Sequence, residues 1–246
     1  MSMLKRKISQ TYSYILKDQN KNKNKDKNKG KDTNKNKKKQ KNDESDDDSE
    51  KDEVDLSFLG DSTKDKSTKI ERDCNHIYFY SEVNRENIYE LSQLIREAEE
   101  ENMLTSFKLK IDKIPIYLHI SSYGGVIFDA FTLIDIIKSC KSPIYSIIEG
   151  ASASAATIIS IVAEKRFITP NAYMLIHQLS SGFWGKMSEI EDDFANLKQL
   201  MDKIKDIYKE HTNIPKKELN ELLKHDLWLN SEKCIKYGLV DEIWTN

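Results

Sequence analysis

Residues 149–163 read EGASASAATIISIVA, and the rest of the chain is best understood from this segment outward. A β-like apolar run over residues 143–148 precedes it, and alternating Ala and Ser after Gly150 lead into a helical apolar pattern. A serine in that turn, Ser152 or Ser154, lies beside the free N–H groups and the positive dipole end of the new helix. The stretch therefore predicts a strand-to-helix turn whose serine either caps the helix or acts as a nucleophile.

The composition divides the 246-residue chain into two parts. Lys, Asn, Asp and Ser dominate the first part, which contains a basic run at residues 20–42 and an acidic run at residues 43–55. Such a segment buries too little apolar surface to offset the entropy of ordering, so residues 1–69 are predicted to be a disordered, low-complexity extension. Residues 70–246 have the composition of one globular domain, long enough to bury about two-thirds of its chain surface.

Charge and cysteine content exclude several classes of protein. The net charge of −2 averages two opposed runs, and the basic run has almost no aromatic residues, so nucleic-acid binding is not expected. Cys74, Cys140 and Cys234 are widely spaced, which indicates neither a disulfide framework nor a zinc site and fits a reducing, cytoplasmic compartment. The apolar runs are too short for a membrane span, whereas the basic, hydroxyl-rich N-terminus leaves organelle targeting open.

Strand and helix patterns alternate along the second part of the chain. Strands are predicted at residues 76–80, 116–120, 143–148, 165–168, 173–177 and 239–244, and helices at 84–99, 126–139 and 187–211, with two short ones that begin at Pro215 and at a Ser231 cap. This alternation predicts an α/β fold with mainly parallel strands, ordered from about His76. Ligands collect at the carboxyl ends of such strands, where two strand–glycine–helix junctions occur, at residues 122–126 and 150–156.

Backbone amides at these two junctions are predicted to form an oxyanion hole. Gly124 and Gly125 offer N–H groups at one junction, and Ala155 offers another directly after the candidate nucleophile. The chain contains no phosphate-loop motif and no HExxH or similar ligand spacing. No nucleotide, other cofactor or metal is therefore expected.

A serine nucleophile requires a base, and the base requires an orienting acceptor. His177 ends the apolar strand predicted at residues 173–177, although a histidine in that position is more often a core residue whose hydrogen bonds are satisfied than a catalyst. Asp226 is the only acid between Glu221 and Glu232 and completes the chain order Ser, His, acid. Two alternatives stay open: Asp226 orients His177, or the pair works as a weaker dyad.

Five segments, in unbroken order, resemble the proteolytic subunit of Clp proteases (the ClpP family), which has a ClpP/crotonase-like fold with a protruding handle helix. They are SSYGGVIFDAF at residues 121–131, EGASASAA at 149–156, KRFITPNAYMLIHQ at 165–178, SGFWGKMSEIEDDFANLKQLMDKIKDIYKEHTN at 181–213 and SEKCIKYGLVDEI at 231–243. The resemblance covers about 170 residues from His76 onward. It implies a ClpP-like peptidase domain over residues 70–246, with the handle at about residues 186–212.

What this resemblance implies is a serine endopeptidase. Ser154 falls on the family's nucleophile and His177 on its general base. The amides of Gly124 or Gly125, together with that of Ala155, fall on the oxyanion hole. The family works as two stacked seven-membered rings, a tetradecamer whose chamber degrades unfolded proteins in protein quality control.

The resemblance also implies partners. Gly182 and Phe183 fall on the strand that holds the substrate peptide as an added β-strand. Because this chain has no ATPase motif, a separate AAA+ Clp unfoldase would deliver folded substrates. The long charged extension replaces the short pore-lining N-terminus of the family.

Three rival functions are compatible with the same sequence. An inactive structural subunit of the same ring would fit if no acid completed the site. An acyl-CoA hydratase or isomerase shares the fold but needs no Ser–His pair and no long helix after the histidine. A polyanion-binding protein with a passive domain would depend on the basic run alone.

Overall fold

The computed structural model describes residues 69–245. The predicted disordered extension, with its basic and acidic runs, lies outside the described residues except for Lys69. Within the described part, no helix combines the length and the apolar character that a membrane span requires.

Strands and helices alternate through the described residues, in agreement with the predicted α/β class. The strands are β1 Lys69–Asp73, β2 His76–Tyr80, β3 Ile116–Ser122, β4 Ile144–Ala153, β5 Lys165–Ile168, β6 Tyr173–Leu175, β7 Trp228–Asn230 and β8 Glu242–Ile243. The helices are α1 Arg85–Leu109, α2 Ile127–Ser139, α3 Ala155–Ser160, α4 Met187–His211, α5 Lys216–Leu222 and α6 Ser231–Lys236.

All eight strands belong to one sheet. Its main path runs β1-β2-β3-β4-β5-β8, and β6 pairs with β4 and also with β7. The β1–β2 and β6–β7 pairs are antiparallel and the others are parallel. The predicted mainly parallel sheet is thereby confirmed.

The central strand β4 carries the chain into the candidate nucleophile turn. Sequence patterns end this strand at Ile148, but β4 continues to Ala153. Its first half pairs with β5, and the continuation, Ala151–Ala153, pairs with β6 instead. Small residues have low strand propensity, so tertiary pairing rather than local preference extends the strand.

Other boundaries also differ from the sequence-based prediction. Strand β1 precedes the predicted start of order at His76, because it pairs with β2 as a hairpin that local patterns did not reveal. Asn230, rather than Ser231, caps α6: its side-chain oxygen accepts a hydrogen bond from the N–H of Lys233 at 3.1 Å. Strands β6 and β8 are shorter than predicted, and α1 is ten residues longer.

The apolar core lies between the sheet and the helices α1, α2 and α3. Its largest fully buried side chains include Phe79, Leu91, Ile120, Leu133 and Ile158. Every residue of the short α3 is buried. The helix that follows the candidate nucleophile is therefore buried along its whole length.

Candidate active site

Ser154 occupies a strained turn between β4 and α3. Its backbone has φ 56° and ψ −123°, a combination that non-glycine residues rarely adopt. Although Ser154 is at the N-cap position, its side chain makes no capping hydrogen bond. The hydroxyl is thus not used as a cap, and strain of about 1–3 kcal/mol is held at this residue by the surrounding structure.

Hydrogen bonds on both sides of the turn hold Ser154 in place. Its N–H donates to the carbonyl of Leu175 at 3.0 Å, which ties the turn to the end of β6. The buried hydroxyl of Thr157 reaches the same Leu175 carbonyl at 3.0 Å and the Ser152 carbonyl at 3.2 Å. Sequence reasoning missed this role of Thr157, because a threonine in the first turn of a helix looks the same whether or not its hydroxyl bonds two other strands.

The glycine turn after β3 packs directly on the Ser154 turn. A Cβ built on Gly124 would lie 2.6 Å from the carbonyl oxygen of Ala153 and 2.8 Å from the Cβ of Ser154. Gly124 also has φ +91°, where side-chain-bearing residues are strained. Only glycine allows the two junctions to approach this closely.

Two of the three predicted oxyanion amides lack an acceptor within the described part of the chain. The Gly124 N–H donates to the Ser122 hydroxyl at 3.2 Å. Neither the Gly125 N–H nor the Ala155 N–H donates to any of residues 69–245. The parallel bridge between Val83 and Gly125 positions the first of these amides, and the start of α3 positions the second.

Ser154 and His177 line the same cavity, which has a volume of about 30 Å³. The other lining residues are Gly125, Ile127, Ala155, Ile158, Gln178, Leu179, Ile204 and Tyr208. The structure thus brings the two side chains to one place, although no hydrogen bond joins them. Catalytic hydrogen bonds commonly tighten only when substrate is bound.

Asp226 lies beside His177, and the strand register explains why. Leu175 of β6 is paired with Trp228 of the antiparallel β7. Continuing that register by two residues places His177 opposite Asp226. The Nδ1 atom of His177 is 3.1 Å from Oδ1 of Asp226, with the imidazole 27% exposed and the carboxylate 76% exposed. The arrangement leaves Nε2 of the imidazole available to a reacting group.

The predicted substrate-binding residues, Gly182 and Phe183, do not line the cavity that contains Ser154 and His177. Gly182 and Phe183 lie in the segment between β6 and α4, and neither lines the cavity. That segment has no strand pairing in the described chain, so its role in substrate binding stays a prediction. Among residues 69–245, no group of His, Cys, Asp and Glu is arranged to hold a metal ion.

Comparisons with known proteins were consistent with one another. The model of the Clp protease family matches residues 68–246. The ATP-dependent Clp protease proteolytic subunit 2 of Treponema denticola is 32% identical over 196 residues, covering 78% of this chain and 96% of that protein. The subunit of the same name from Treponema pallidum is 28% identical over 156 residues, covering 63% and 78%. A solved structure of a ClpP1 mutant from Listeria monocytogenes aligns with a TM-score of 0.61 and 27% identity, covering 71% of this chain and 93% of that one.

Proposed function

The chain belongs to the Clp protease family, and from that premise we propose that it is a serine-type endopeptidase. Ser154 attacks the carbonyl carbon of a peptide bond, and Nε2 of His177 takes the hydroxyl proton. His177 then passes this proton to the leaving amine, which departs and leaves an acyl-enzyme. Water, deprotonated by the same imidazole, hydrolyses the ester and restores the Ser154 hydroxyl.

Two supporting groups complete the proposed mechanism. The carboxylate of Asp226 accepts a hydrogen bond from Nδ1 of His177, which keeps Nε2 unprotonated and facing the cavity. The free N–H groups of Gly125 and Ala155 stabilise the oxyanion of each tetrahedral intermediate. The observation that carries the proposal is this convergence: Ser154, His177, Gly125 and Ala155 all line one cavity.

The walls of that cavity support a preference for apolar side chains next to the cleaved bond. Ile127, Ile158 and Ile204 contribute aliphatic surface, and Tyr208 is also among the lining residues. A cavity of about 30 Å³ holds little more than one water molecule, so an apolar substrate side chain would lie across its mouth, where a charged one would lose hydration without gaining a partner. The adjoining segment with Gly182 and Phe183 is proposed to hold the substrate backbone.

We also propose that the chain acts within stacked rings and receives substrates from a separate AAA+ unfoldase. The relatives that match are named as ATP-dependent proteolytic subunits. The handle helix α4 exposes Met187 and Phe194, and Trp184 just before it is almost fully exposed. Such apolar groups suit a contact between rings. Three free thiols in the described chain suit a reducing compartment such as the cytoplasm.

A pair of matched serine variants tests the proposal. Ser154→Ala should abolish cleavage of a fluorogenic peptide and labelling by a fluorophosphonate probe. Ser152→Ala is the control, because the Ser152 hydroxyl is buried, makes no hydrogen bond with any of residues 69–245 and lies outside the cavity. It should keep both signals. Cleavage and labelling that survive in Ser154→Ala would refute the assignment, and an unlabelled, inactive parent protein would favour an inactive subunit or a hydratase.

A further inference from the structure

A second and larger cavity opens on the sheet near the proposed peptidase site. Its volume is about 340 Å³, and it is lined by Gly150, Ala151, Tyr173 and Trp228. The exposed ring of Tyr123 contacts Trp228 edge to face, with the ring centroids 6.2 Å apart. We call the space beside the three rings of Tyr123, Tyr173 and Trp228 the aromatic cleft. Ligand sites usually have volumes of about 300–1,000 Å³, so this cleft can hold a large side chain, whereas the cavity of about 30 Å³ at the proposed catalytic groups cannot.

The cleft is open because β4 has an irregularity that consists of small residues. The pairing of β4 with β3 shifts between Ile120 and Ser122, and Gly150 and Ala151 lie opposite this shift. Gly150 has no side chain and Ala151 has only a methyl group, so the surface of the strand stays accessible here. Tyr173 is paired with Ala151 and therefore lies directly beside this surface. Irregularities of this kind occur often next to active sites.

Strand register connects the cleft to the proposed catalytic groups. Trp228 of β7 is paired with Leu175 of β6, and the next pair on the same face of these strands is His177 and Asp226. Trp228 is two residues from Asp226, which corresponds to about 7 Å of extended chain. Tyr173 is four residues from His177, which corresponds to about 13 Å. The cleft is thus continuous with the proposed site along two paired strands.

The glycine turn after β3 links the same two places. Tyr123, whose ring contacts Trp228, directly precedes Gly124 and Gly125. The amide of Gly125 is one of the two proposed oxyanion donors. An extended substrate advances about 3.3 Å per residue, so its side chains two to four residues from the cleaved bond lie 7–13 Å away, at the distance of the cleft.

We propose that the aromatic cleft binds an aromatic side chain of the substrate, two to four residues from the cleaved bond. This inference rests on the proposed peptidase function and adds a second determinant of its substrate class. Aromatic rings pair favourably edge to face or offset, at centroid distances of about 4.5–7 Å, and gain stability beyond the burial of their area. None of the residues that line the cleft carries a charge, so a charged substrate side chain would lose hydration there without gaining an ion pair.

A set of internally quenched peptides tests the proposal. Each peptide carries Phe, or Ala in its place, at one position up to four residues before or after a common cleavage site, and mass spectrometry locates the cleaved bond. The parent protein should show a kcat/KM about tenfold higher for Phe than for Ala when that position is two to four residues from the bond. Cleavage of all peptides without this preference, or a preference for Lys or Glu there, would overturn the cleft assignment and leave the peptidase proposal standing.

Two variants and a control assign the preference to the cleft. Trp228→Ala removes one of the rings and Ala151→Leu fills the cleft, so each should reduce the Phe-to-Ala ratio of kcat/KM to about twofold or less. Trp228→Phe, which keeps a ring, should retain most of the ratio. The control Tyr89→Ala removes an exposed ring from α1 and should leave the ratio at the parent value.

Circular dichroism melting checks that the variants are folded. A parent ratio that persists in folded Trp228→Ala or in folded Ala151→Leu would overturn the assignment to the cleft. A parent protein that neither cleaves any peptide nor reacts with a fluorophosphonate probe would overturn the proposed function, and this inference with it.

Discussion

Replacing Gly124 by alanine should damage the candidate site and the fold together, because this glycine lies against the nucleophile turn. The new Cβ would meet the Ala153 carbonyl oxygen at 2.6 Å, the Ser154 Cβ at 2.8 Å and the Ala155 amide nitrogen at 2.9 Å. All three atoms belong to the turn around Ser154, which cannot move without breaking its hydrogen bond to the Leu175 carbonyl. The substitution must therefore displace Ser154 and the Ala155 N–H.

The expected loss of stability is the sum of two costs. Overpacking a buried contact costs about 1–3 kcal/mol, and holding a side-chain-bearing residue at φ +91° costs about another 1–2 kcal/mol. The free energy of unfolding should fall by about 2–5 kcal/mol. Losing one oxyanion donor lowers kcat by about 10²- to 10³-fold, so peptidase activity should fall by at least a hundredfold.

A second glycine, Gly150, separates the cost of overpacking from the cost of the backbone conformation. Gly150 also has positive φ, +64°, but a Cβ there would meet only the Ser121 hydroxyl at an ordinary 3.5 Å. Gly150→Ala should therefore cost only the conformational term, about 1–2 kcal/mol, and keep activity within a few-fold of the parent. Urea unfolding and a fluorogenic-peptide assay measure both variants. Equal stability loss in the two, with Gly124→Ala still active, would refute the close packing of the junctions.

Three further predictions concern other parts of the molecule. Asp226→Asn removes a charge-assisted hydrogen bond of about 1.5–3 kcal/mol from His177, so kcat should fall about ten- to hundredfold. Asp226→Glu should recover part of the lost kcat. Full activity in Asp226→Asn would favour a dyad. Thr157→Val removes the hydroxyl that bonds the carbonyls of Ser152 and Leu175, so the free energy of unfolding should fall by about 1–3 kcal/mol in chemical denaturation. An unchanged free energy of unfolding would contradict this role of the hydroxyl. Burial first, and then the neighbouring His119, lowers the pKa of His76, so the folded state binds fewer protons than the unfolded chain. Stability should therefore be full above about pH 6.5 and decline as the pH falls below it. His76→Gln should reduce the difference between unfolding free energies at pH 7.5 and 5.5, although His211, whose pKa burial also lowers, retains part of it. An undiminished difference in that variant would show that His76 is not a source of the pH dependence.

Local sequence patterns were sufficient where a single element determines its own structure. The helix Met187–His211 was predicted with its observed bounds, because its apolar residues recur at helical spacing over many turns. The strand His76–Tyr80 was predicted equally well from its β-branched and aromatic residues. Element boundaries that depend on a distant partner were not predicted, as the continuation of β4 along β6 shows.

In the candidate site too, some residues could be predicted from local patterns and others depended on distant partners. Ser154 and His177 were predicted from the strand endings and the family resemblance, whereas the choice between Asp226 and a dyad stayed open. The structure places Asp226 opposite His177 through the β6–β7 register, which joins residues 49 positions apart. It also distinguishes Gly125, whose amide donates to none of residues 69–245, from Gly124, whose amide bonds the Ser122 hydroxyl and which packs closely against the Ser154 turn.

The class of fold, the order of its elements and the two junctions where chemistry is expected could be predicted from the amino-acid order, because periodicity and glycine turns are local properties. Which groups meet at those junctions depends on long-range packing. Hydroxyl, imidazole, carboxylate and free amides come from four separate segments, and their separation is set by strand pairing and by close packing at Gly124. Those constraints act between residues far apart in the chain, so no local pattern encodes them.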